Sequence, residues 1–394
     1  MRRLCADWVL PITSKPIEKG VVVVDDDGTV LRVGKQKDFN KSELEEYKGV
    51  ICPGFINAHC HLELSFLKER IREHTGLIEF VQQVIALKDK PSEEEQREAI
   101  TDAEDEMLAN GIVAVGDISN DTRSFFQKAQ GRLRYHTFVE VFDLGPSMTQ
   151  PAIDTGQDVF RKVPEAGNSS ASVTPHAPYS CTTELIKWTD KFTAENGHVL
   201  SIHMQEQQDE NLLFLEKDGA WVEFYRDMGL DLSWFAPTGK NSLQSSVQHL
   251  IRGNTMVFVH NMHTTKADIK WAQNFSDRIW WCFCPSANLY IENRLPDFKI
   301  FIDAKAKCVL GTDSLASNHQ LSILEEMKVI TKKAPYVPTS KLFEWATING
   351  AQLLRFDKEL GSIEPDKRPG INLITGMDMK AMRLLNKSKV ERLA

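Results

Sequence analysis

The sequence predicts an α/β protein: a (β/α)₈ barrel of the TIM type, with a small β-sandwich domain built from both termini. Three observations carry this expectation. Between residues 51 and 355, eight short apolar runs alternate with longer amphipathic stretches, the pattern of parallel strands joined by helical crossovers. Residues 1–50 read instead as short strands and turns. Their clearest signal is "GVVVVDDDGTVLRVG", a β-branched run, an Asp-Asp-Asp-Gly turn and a second alternating run, as in a hairpin. After residue 355 the same texture returns in "LGSIEPDKRPGINLITG", where Gly and Pro punctuate short apolar runs. The expected division is therefore 1–50 plus 356–394 for the β-domain and 51–355 for the barrel.

The eight runs are 50–58, 111–118, 134–142, 172–175, 199–203, 255–260, 279–284 and 308–311. Helical patterns separate most of them, among them "GLIEFVQQVIALKDK", "SEEEQREAITDAEDEMLANG" and "TTELIKWTDKFTAENG". The last ends on Asn196-Gly197, a helix stop signal before a strand. The stretch 212–250 is too long for a simple barrel connection. It holds "DGAWVEFYRDMGLDLSWFAPTGKNS", rich in aromatics, and long insertions after a barrel strand usually shape the substrate site.

With 394 residues, 42% of them hydrophobic, the chain can bury a sizeable core. The net charge is −8 and no Lys/Arg block stands out, which argues against nucleic-acid or anionic-membrane partners. No apolar run approaches the roughly 18 residues of a membrane span, and the N-terminal residues lack a signal-peptide pattern. Seven cysteines at scattered spacing suit a reducing cytoplasm, with the thiols acting as small buried apolar groups. The expected partners are a small molecule and water, and a homodimer is compatible with this composition.

Chemistry gathers at the ends of the predicted strands. In "PGFINAHCHLELS", His59 and His61 are two residues apart, so both face the lumen at the carboxyl end of the first barrel strand, where such barrels place their active sites. A lone histidine there would read as a core residue bonded to a carbonyl; the His-x-His pair reverses that reading. His203 closes the fifth strand, and Glu206 follows at i+3, reaching the same mouth only if the chain turns. His260 closes the sixth strand. Asp313 follows the eighth, beside Gly311, which permits close backbone approach. Taken singly, Asp313 reads as a turn or cap residue and His260 as a satisfied core histidine. Three imidazoles and one carboxylate from such a group suit Zn²⁺, or an imidazole-tolerant ion such as Fe²⁺.

Other residues carry weaker signals. Glu140 ends the third strand and could reach a substrate. Glu63 reads as a structural partner to an Arg or a backbone amide. Glu210, one helical turn after Glu206, reads as a solvated helix-face charge. Tyr179, Trp221, Phe224 and Trp234 are stacking candidates for a purine, with Trp221 taken as the substrate contact. Arg70, Arg72 and Arg226 sit in loops from which a substrate carboxylate could be met. His263 and His319 carry no expected role.

The segments "PGFINAHCHLE", "TPHAPYSCT", "HMQE", "VHNMH", "CPSAN" and "GTDSLASN" together resemble the amidohydrolase superfamily, in its branch of hydrolytic nucleoside and nucleobase deaminases. Within that branch, "HCHLELSFLK", "GTDSLASN" and the long insertion look most like the aminodeoxyfutalosine deaminases of menaquinone biosynthesis, relatives of the S-adenosylhomocysteine and methylthioadenosine deaminases. The resemblance implies His59, His61, His203 and Asp313 as metal ligands. It implies Glu206 as proton shuttle, His260 as the residue that orients the attacking water, Asp313 also as proton acceptor, and His176 as a substrate contact. Binuclear members carry a lysine at the fourth strand. Here that strand reads "SVTPHAPYS", so one divalent ion is expected, Zn²⁺ first and Fe²⁺ second. Ala287 in "CPSAN" stands where relatives often carry Ser. The implied reaction is hydrolytic deamination of an adenine-containing nucleoside. Alternatives are guanine or cytosine deamination, chlorotriazine hydrolysis, or a metal-binding scaffold without activity. The presence of both Glu206 and His260 speaks against the last.

Overall fold

The computed structural model describes residues 1–167, 170–196 and 199–394. Its strands run β1 (Arg2–Val9), β2 (Ile17–Val24), β3 (Val30–Lys35), β4 (Glu45–Pro53), β5 (Phe55–Cys60), β6 (Ile112–Ser119), β7 (Arg134–Val141), β8 (Ser170–Pro175), β9 (Val199–Met204), β10 (Thr255–His260), β11 (Ile279–Phe283), β12 (Lys307–Leu310), β13 (Ile371–Thr375) and β14 (Lys389–Arg392).

The two chain ends meet in one mixed sheet, ordered β14-β13-β4-β1-β2-β3. The hairpin read from the sequence is present: β2 and β3 pair antiparallel, with Val22 opposite Val33. Asp25 shapes its turn by accepting from the N–H groups of Asp27 and Thr29 at 3.1 and 3.0 Å. The sandwich expected here is replaced by a single six-stranded sheet among the described residues. Side chains alternate across it. Leu4, Ala6, Val22 and Val24 pack with Ile51, Ile371 and Leu373 on one face. On the other, Cys5, Val21 and Val23 are covered by Phe39 and Leu44. The connection after β3 thus shields the face that a second sheet would have covered.

The apolar run 50–58, expected as one strand, feeds two sheets. Its first part belongs to β4, which pairs with β1 and β13. Its second part is β5, which pairs with β6. Gly54 makes the break. Its N–H reaches the carbonyls of Pro369 and Gly370, each at 3.1 Å, and a Cβ there would lie 2.3 Å from Val113 Cγ1, so no larger residue fits.

The central strands form two parallel sheets, β5-β6-β7-β8 and β9-β10-β11-β12. Every residue of β5, β6 and β9 is buried, which is why these runs read as continuously apolar rather than alternating. Helices follow the strands. Glu93–Ala109 opens on a capping box of Ser92 and Glu95, and Thr183–Glu195 opens on the Thr182 side chain. The stop signal at Gly197 lies outside the described residues. The two sheets meet at their edges: His203 N–H donates to His176 O at 2.9 Å, and Thr312 N–H to His59 O at 3.0 Å. Gly311 permits the second meeting, since a Cβ would lie 2.8 Å from His59. The long insertion folds into the helices Gln208–Glu216, Ala220–Asp227 and Ser242–Val247. Among the described residues, no helix is long and apolar enough to cross a membrane.

Candidate active site

His59 is the last residue but one of β5, and His61 follows the strand directly. Their Nε2 atoms are 3.2 Å apart. The chain beyond them is anchored from below: Asp117 on β6 accepts from Leu62 N–H at 2.8 Å, and Lys128 neutralises Asp117 at 2.5 Å, both side chains fully buried. His203 ends β9 with its ring 4.9 Å from that of His59. Its Nδ1 is 2.8 Å from the His176 carbonyl. A carbonyl only accepts, so Nδ1 carries the proton and the Nε2 lone pair is free. Asp313 brings Oδ1 to 3.4 Å from His61 Nε2 and 3.8 Å from His59 Nε2, while Ser317 Oγ donates to its Oδ2 at 2.9 Å. Asp313 holds φ of 60°, a left-handed conformation that few non-glycine residues adopt.

These donors fit a divalent cation. One nitrogen each from His59, His61 and His203 lie within 4.8 Å of one another. Burial holds the His59 and His203 imidazoles well below their ordinary pKa, so both are neutral and present lone pairs. Two Nε2 atoms facing each other in a buried site need either a proton or an ion between them. Ligand nitrogens about 2.0–2.1 Å from a tetrahedral ion lie about 3.3 Å apart, close to the spacing seen. The buried Nδ1 atoms of His59 and His61 lack a hydrogen-bond partner among the described residues. A second group, Glu140, His176 and His203, also brings ligand atoms within 4.8 Å and shares His203 with the first.

Glu206 reaches the same place because the chain turns at Gln205, where φ is 50°. Its Oε1 lies 3.4 Å from His260 Nε2. Burial, with Asp313 and Glu210 nearby, pushes the Glu206 carboxyl well above the usual carboxylate range, so it can hold a proton at neutral pH. His260, itself at φ of 75°, is oriented by Asn288 Oδ1, 2.8 Å from Nδ1. Glu210 is not the solvated charge expected from its spacing. It is fully buried and accepts from the N–H groups of Gln205 and Glu206 at 2.8 and 3.1 Å. The turn at Gln205 leaves two amide donors without helix partners, and Glu210 supplies both acceptors. Glu63 has the structural partner expected of it: both its oxygens lie 3.0 Å from Asn120 N–H, and burial raises its carboxyl to about 8.

A cavity of about 210 Å³ opens beside this cluster, and its lining includes His61, His176, His203, Glu206, His260 and Asp313. Glu140 lies in the wall, with Asn120 Nδ2 donating to it at 3.1 Å and its Oε2 without a hydrogen bond among the described residues. His176 Nδ1 is 2.7 Å from Ser180 Oγ. Trp221 stacks on Tyr179, with centroids 3.8 Å apart and planes inclined by 15°; both line the cavity with Phe224. Trp234 is absent from the lining and donates to Asp231 O instead. Arg70, Arg72 and Arg226 are absent too, turned to Glu95, Glu79 and Glu223 respectively. His319 is exposed, 3.4 Å from Glu73, and His263, lowered to about 4 by burial, donates its N–H to Gln205 O. Ala287 is fully buried in the helix Pro285–Glu292. Sequence reasoning missed Asn120 and Asn288, whose contacts with Glu140 and His260 join residues far apart in the chain.

Parallel strands that gather histidines, an aspartate and a buried glutamate at their carboxyl ends define a metal-dependent hydrolase. The chain belongs to the amidohydrolase family, whose model matches residues 50–392. It is 25% identical over 374 residues to a 5-methylthioadenosine/S-adenosylhomocysteine deaminase of Bacillus cereus, covering 89% of this chain and 79% of the relative. Its fold matches that of Helicobacter pylori aminofutalosine deaminase with a TM-score of 0.84 at 20% identity, over 100% of both chains. A zinc-bound adenosine deaminase of Xanthomonas campestris matches with a TM-score of 0.74 at 19% identity, over 94% of this chain and 84% of that one.

Proposed function

We propose that this protein is a mononuclear metal-dependent aminohydrolase that releases ammonia from an adenine-containing nucleoside. The ranked substrates are aminodeoxyfutalosine, then S-adenosylhomocysteine or methylthioadenosine, then adenosine. One observation carries the reading: ligand nitrogens of His59, His61 and His203 lie within 4.8 Å of one another, Asp313 Oδ1 is 3.4 Å from His61, and Glu206 is 3.4 Å from His260. The names of the relatives in sequence and in fold support the nucleoside class.

His59, His61, His203 and Asp313 would hold the ion, Zn²⁺ first and Fe²⁺ second. A bound divalent cation supplies the Lewis acidity that makes water nucleophilic at neutral pH. β8 runs Ser170–Pro175 without a lysine, which supports a single ion. Glu206, held protonated by burial, gives its proton to a ring nitrogen of the substrate and makes the amino-bearing carbon electrophilic. General acid–base work of this kind is worth about 10²–10⁴-fold. His260, fixed by Asn288, stabilises charge that develops on the attacking oxygen. Asp313 takes the first proton that water loses and passes it by way of Glu206 to the departing amino group, which leaves as ammonia, and the second water proton, released as the carbonyl forms, returns Glu206 to its protonated state. His176, Glu140 and Trp221 line the cavity and contact the base or sugar.

The reading includes a closed ring of eight strands, supported by the edge bonds from His203 to His176 and from Thr312 to His59. It also includes a division into a terminal β-domain (1–50 plus 356–394) and a catalytic domain (51–355). The pairing of Ile371 with Pro53 supports moving that junction to Gly54. Seven free, buried cysteines support a reducing, cytoplasmic setting. The test is metal analysis of purified protein with ammonia release on a panel of the nucleosides above, guanine, cytosine and a chlorotriazine. One bound ion per chain and turnover of an adenine nucleoside are expected. Turnover confined to a free base or triazine would overturn the substrate class.

A further inference from the structure

We infer that Gln205 is a positioning residue for the proposed reaction: its side chain, tied to Thr264, fixes the distance between Glu206 and His260. This rests on the roles given to those two residues above. β9 and β10 pair in parallel as far as Met204 opposite His260. Glu206 lies two residues beyond that last pair, past the end of the ladder. Both chains turn sharply there, with φ of 50° at Gln205, 75° at His260 and 58° at Asn261. Left-handed turns of this kind cost energy in non-glycine residues and persist only where their surroundings hold them. Yet Glu206 Oε1 stands 3.4 Å from His260 Nε2, and the proposed work of both groups, proton transfer at one and charge stabilisation at the other, depends on where they sit.

Three bonds stitch the two turns together. Asn261 N–H donates to Met204 O at 3.1 Å, and His263 N–H to Gln205 O at 3.0 Å. Side chains make the third: Thr264 Oγ1 donates to Gln205 Oε1 at 2.7 Å. Its direction follows by elimination. Ser242 N–H, which can only donate, lies 3.2 Å from Asn211 Oδ1, so Asn211 presents its oxygen. Gln205 therefore meets Asn211 with Nε2, at 3.3 Å, and faces Thr264 with Oε1, an acceptor. Gln205, Asn211 and Thr264 are all buried, where a polar atom left without its partner is costly. None of the three belongs to the described cavity lining. What they contribute to turnover therefore passes through the backbone that carries Glu206 and His260.

The test uses the full chain loaded with Zn²⁺. Thr264→Val removes the hydroxyl at nearly constant volume and leaves the buried amide of Gln205 in place, while Thr264→Ser keeps the donor. With an adenine nucleoside as substrate, Thr264→Val is expected to lower kcat about tenfold, since a misplacement of about 1 Å costs on the order of 10²-fold. KM and bound zinc should stay unchanged, and Thr264→Ser should keep most of the activity. In a Glu206→Gln background most of the loss should vanish from the residual rate, because the group being positioned is gone. A loss that persists in full in that background, or equal losses in Thr264→Val and Thr264→Ser, would contradict the inference. Crystal structures of the zinc-loaded variants read the distance itself. The Glu206–His260 separation should lengthen in Thr264→Val and stay near 3.4 Å in Thr264→Ser; an unchanged separation in Thr264→Val would also contradict the inference. If the unmodified protein released ammonia from no nucleoside, the deaminase reading would fall instead. The crystallographic separation would then decide the role of Gln205 by itself.

Discussion

The Glu210 carboxylate accepts a hydrogen bond from the main-chain N–H of Glu206 at 3.1 Å, so one buried acid holds the backbone that presents another. The same carboxylate takes the N–H of Gln205 at 2.8 Å, and together these bonds stabilise a turn with positive φ at Gln205. Glu210→Ala leaves both donors unsatisfied, each costing about 1–3 kcal/mol, and frees Glu206 to move. We expect kcat to fall by at least about 10²-fold, since small misplacements of a proton donor cost that much, with metal content unchanged. Steady-state kinetics with metal analysis checks this. Loss of metal with kcat per bound ion intact would show that Glu210 serves the ion instead.

Asp117 and Lys128 form a pair with no exposed surface, and Lys128 also donates to Ser119 Oγ at 2.9 Å. Asp117 in turn fixes Leu62 N–H, directly after His61. Lys128→Met leaves a buried carboxylate without its counter-charge. The expected loss is about 3–5 kcal/mol in urea unfolding. Adding Asp117→Asn removes the stranded charge while keeping an acceptor for Leu62, so the double variant should regain part of that loss. A double variant no more stable than Lys128→Met would show that the charge itself is not the cost.

Glu326 is fully buried, accepts from Ser286 N–H at 2.8 Å and Asn318 Nδ2 at 2.9 Å, and burial raises its carboxyl from 4.5 to about 7. A raised folded pKa means that folding favours the protonated form. Its contribution to stability is therefore complete below pH 4.5 and is lost as pH rises through 7. The difference amounts to about 3 kcal/mol at about 1.4 kcal/mol per pH unit. Glu326→Gln should remove this dependence. Unfolding free energies at pH 5 and pH 8 should show the variant gaining on the unmodified protein as pH rises. A constant difference would contradict the shift.

How much of this was legible in the sequence depends on the range of the interactions involved. The strands β6 to β12 were readable because burial on both faces makes them continuous apolar runs. The hairpin was readable because its turn chemistry is local. The common direction of His59 and His61 was readable because residues two apart on a strand share a face; the approach of Asp313 to them depends on a loop beyond β12 that local spacing does not describe. Glu210 was misread because its partners are backbone amides freed by a turn that no local spacing announces. Gly54 hid a strand break, since the collision that demands glycine comes from Val113, far along the chain. Phe39 and Leu44 hid the missing second sheet, because a loop that covers a face looks like any loop. Arg70, Arg72 and Arg226 were weighed as carboxylate partners from their loops alone, while nearby acids had already taken them.

Asn288 holds His260 through Nδ1 at 2.8 Å and leaves Nε2 toward Glu206, 3.4 Å away. Asn288→Ala frees the ring to rotate without removing any proposed ligand of the ion. A fall in kcat of about tenfold is expected, with KM and metal content little changed, because the ring acts on charge that develops only in the transition state. Asn288→Asp, which keeps an acceptor, should recover most of the activity. Equal losses in both variants would point to packing of the helix Pro285–Glu292 rather than to ring orientation.

His59 and His61 face each other through Nε2 at 3.2 Å, and burial keeps His59 uncharged. Without an ion, one ring must keep its proton on Nε2 and donate it to the other; a cation takes the place of that proton and accepts both lone pairs. Binding to the folded state alone stabilises it by RT ln(1 + [L]/Kd), about 4.1 kcal/mol at 1,000 times Kd. Chelation should therefore lower Tm, and returning Zn²⁺ should restore both Tm and activity. His203→Asn removes one ligand nitrogen, so its Tm should respond far less to the metal. His319→Asn provides the control, since that ring is exposed and 3.4 Å from Glu73; its metal-dependent shift should match that of the unmodified protein. If His203→Asn kept the full shift, the ion would have to sit elsewhere, and the group formed by Glu140 and His176 would not rescue the site, because it depends on His203 as well.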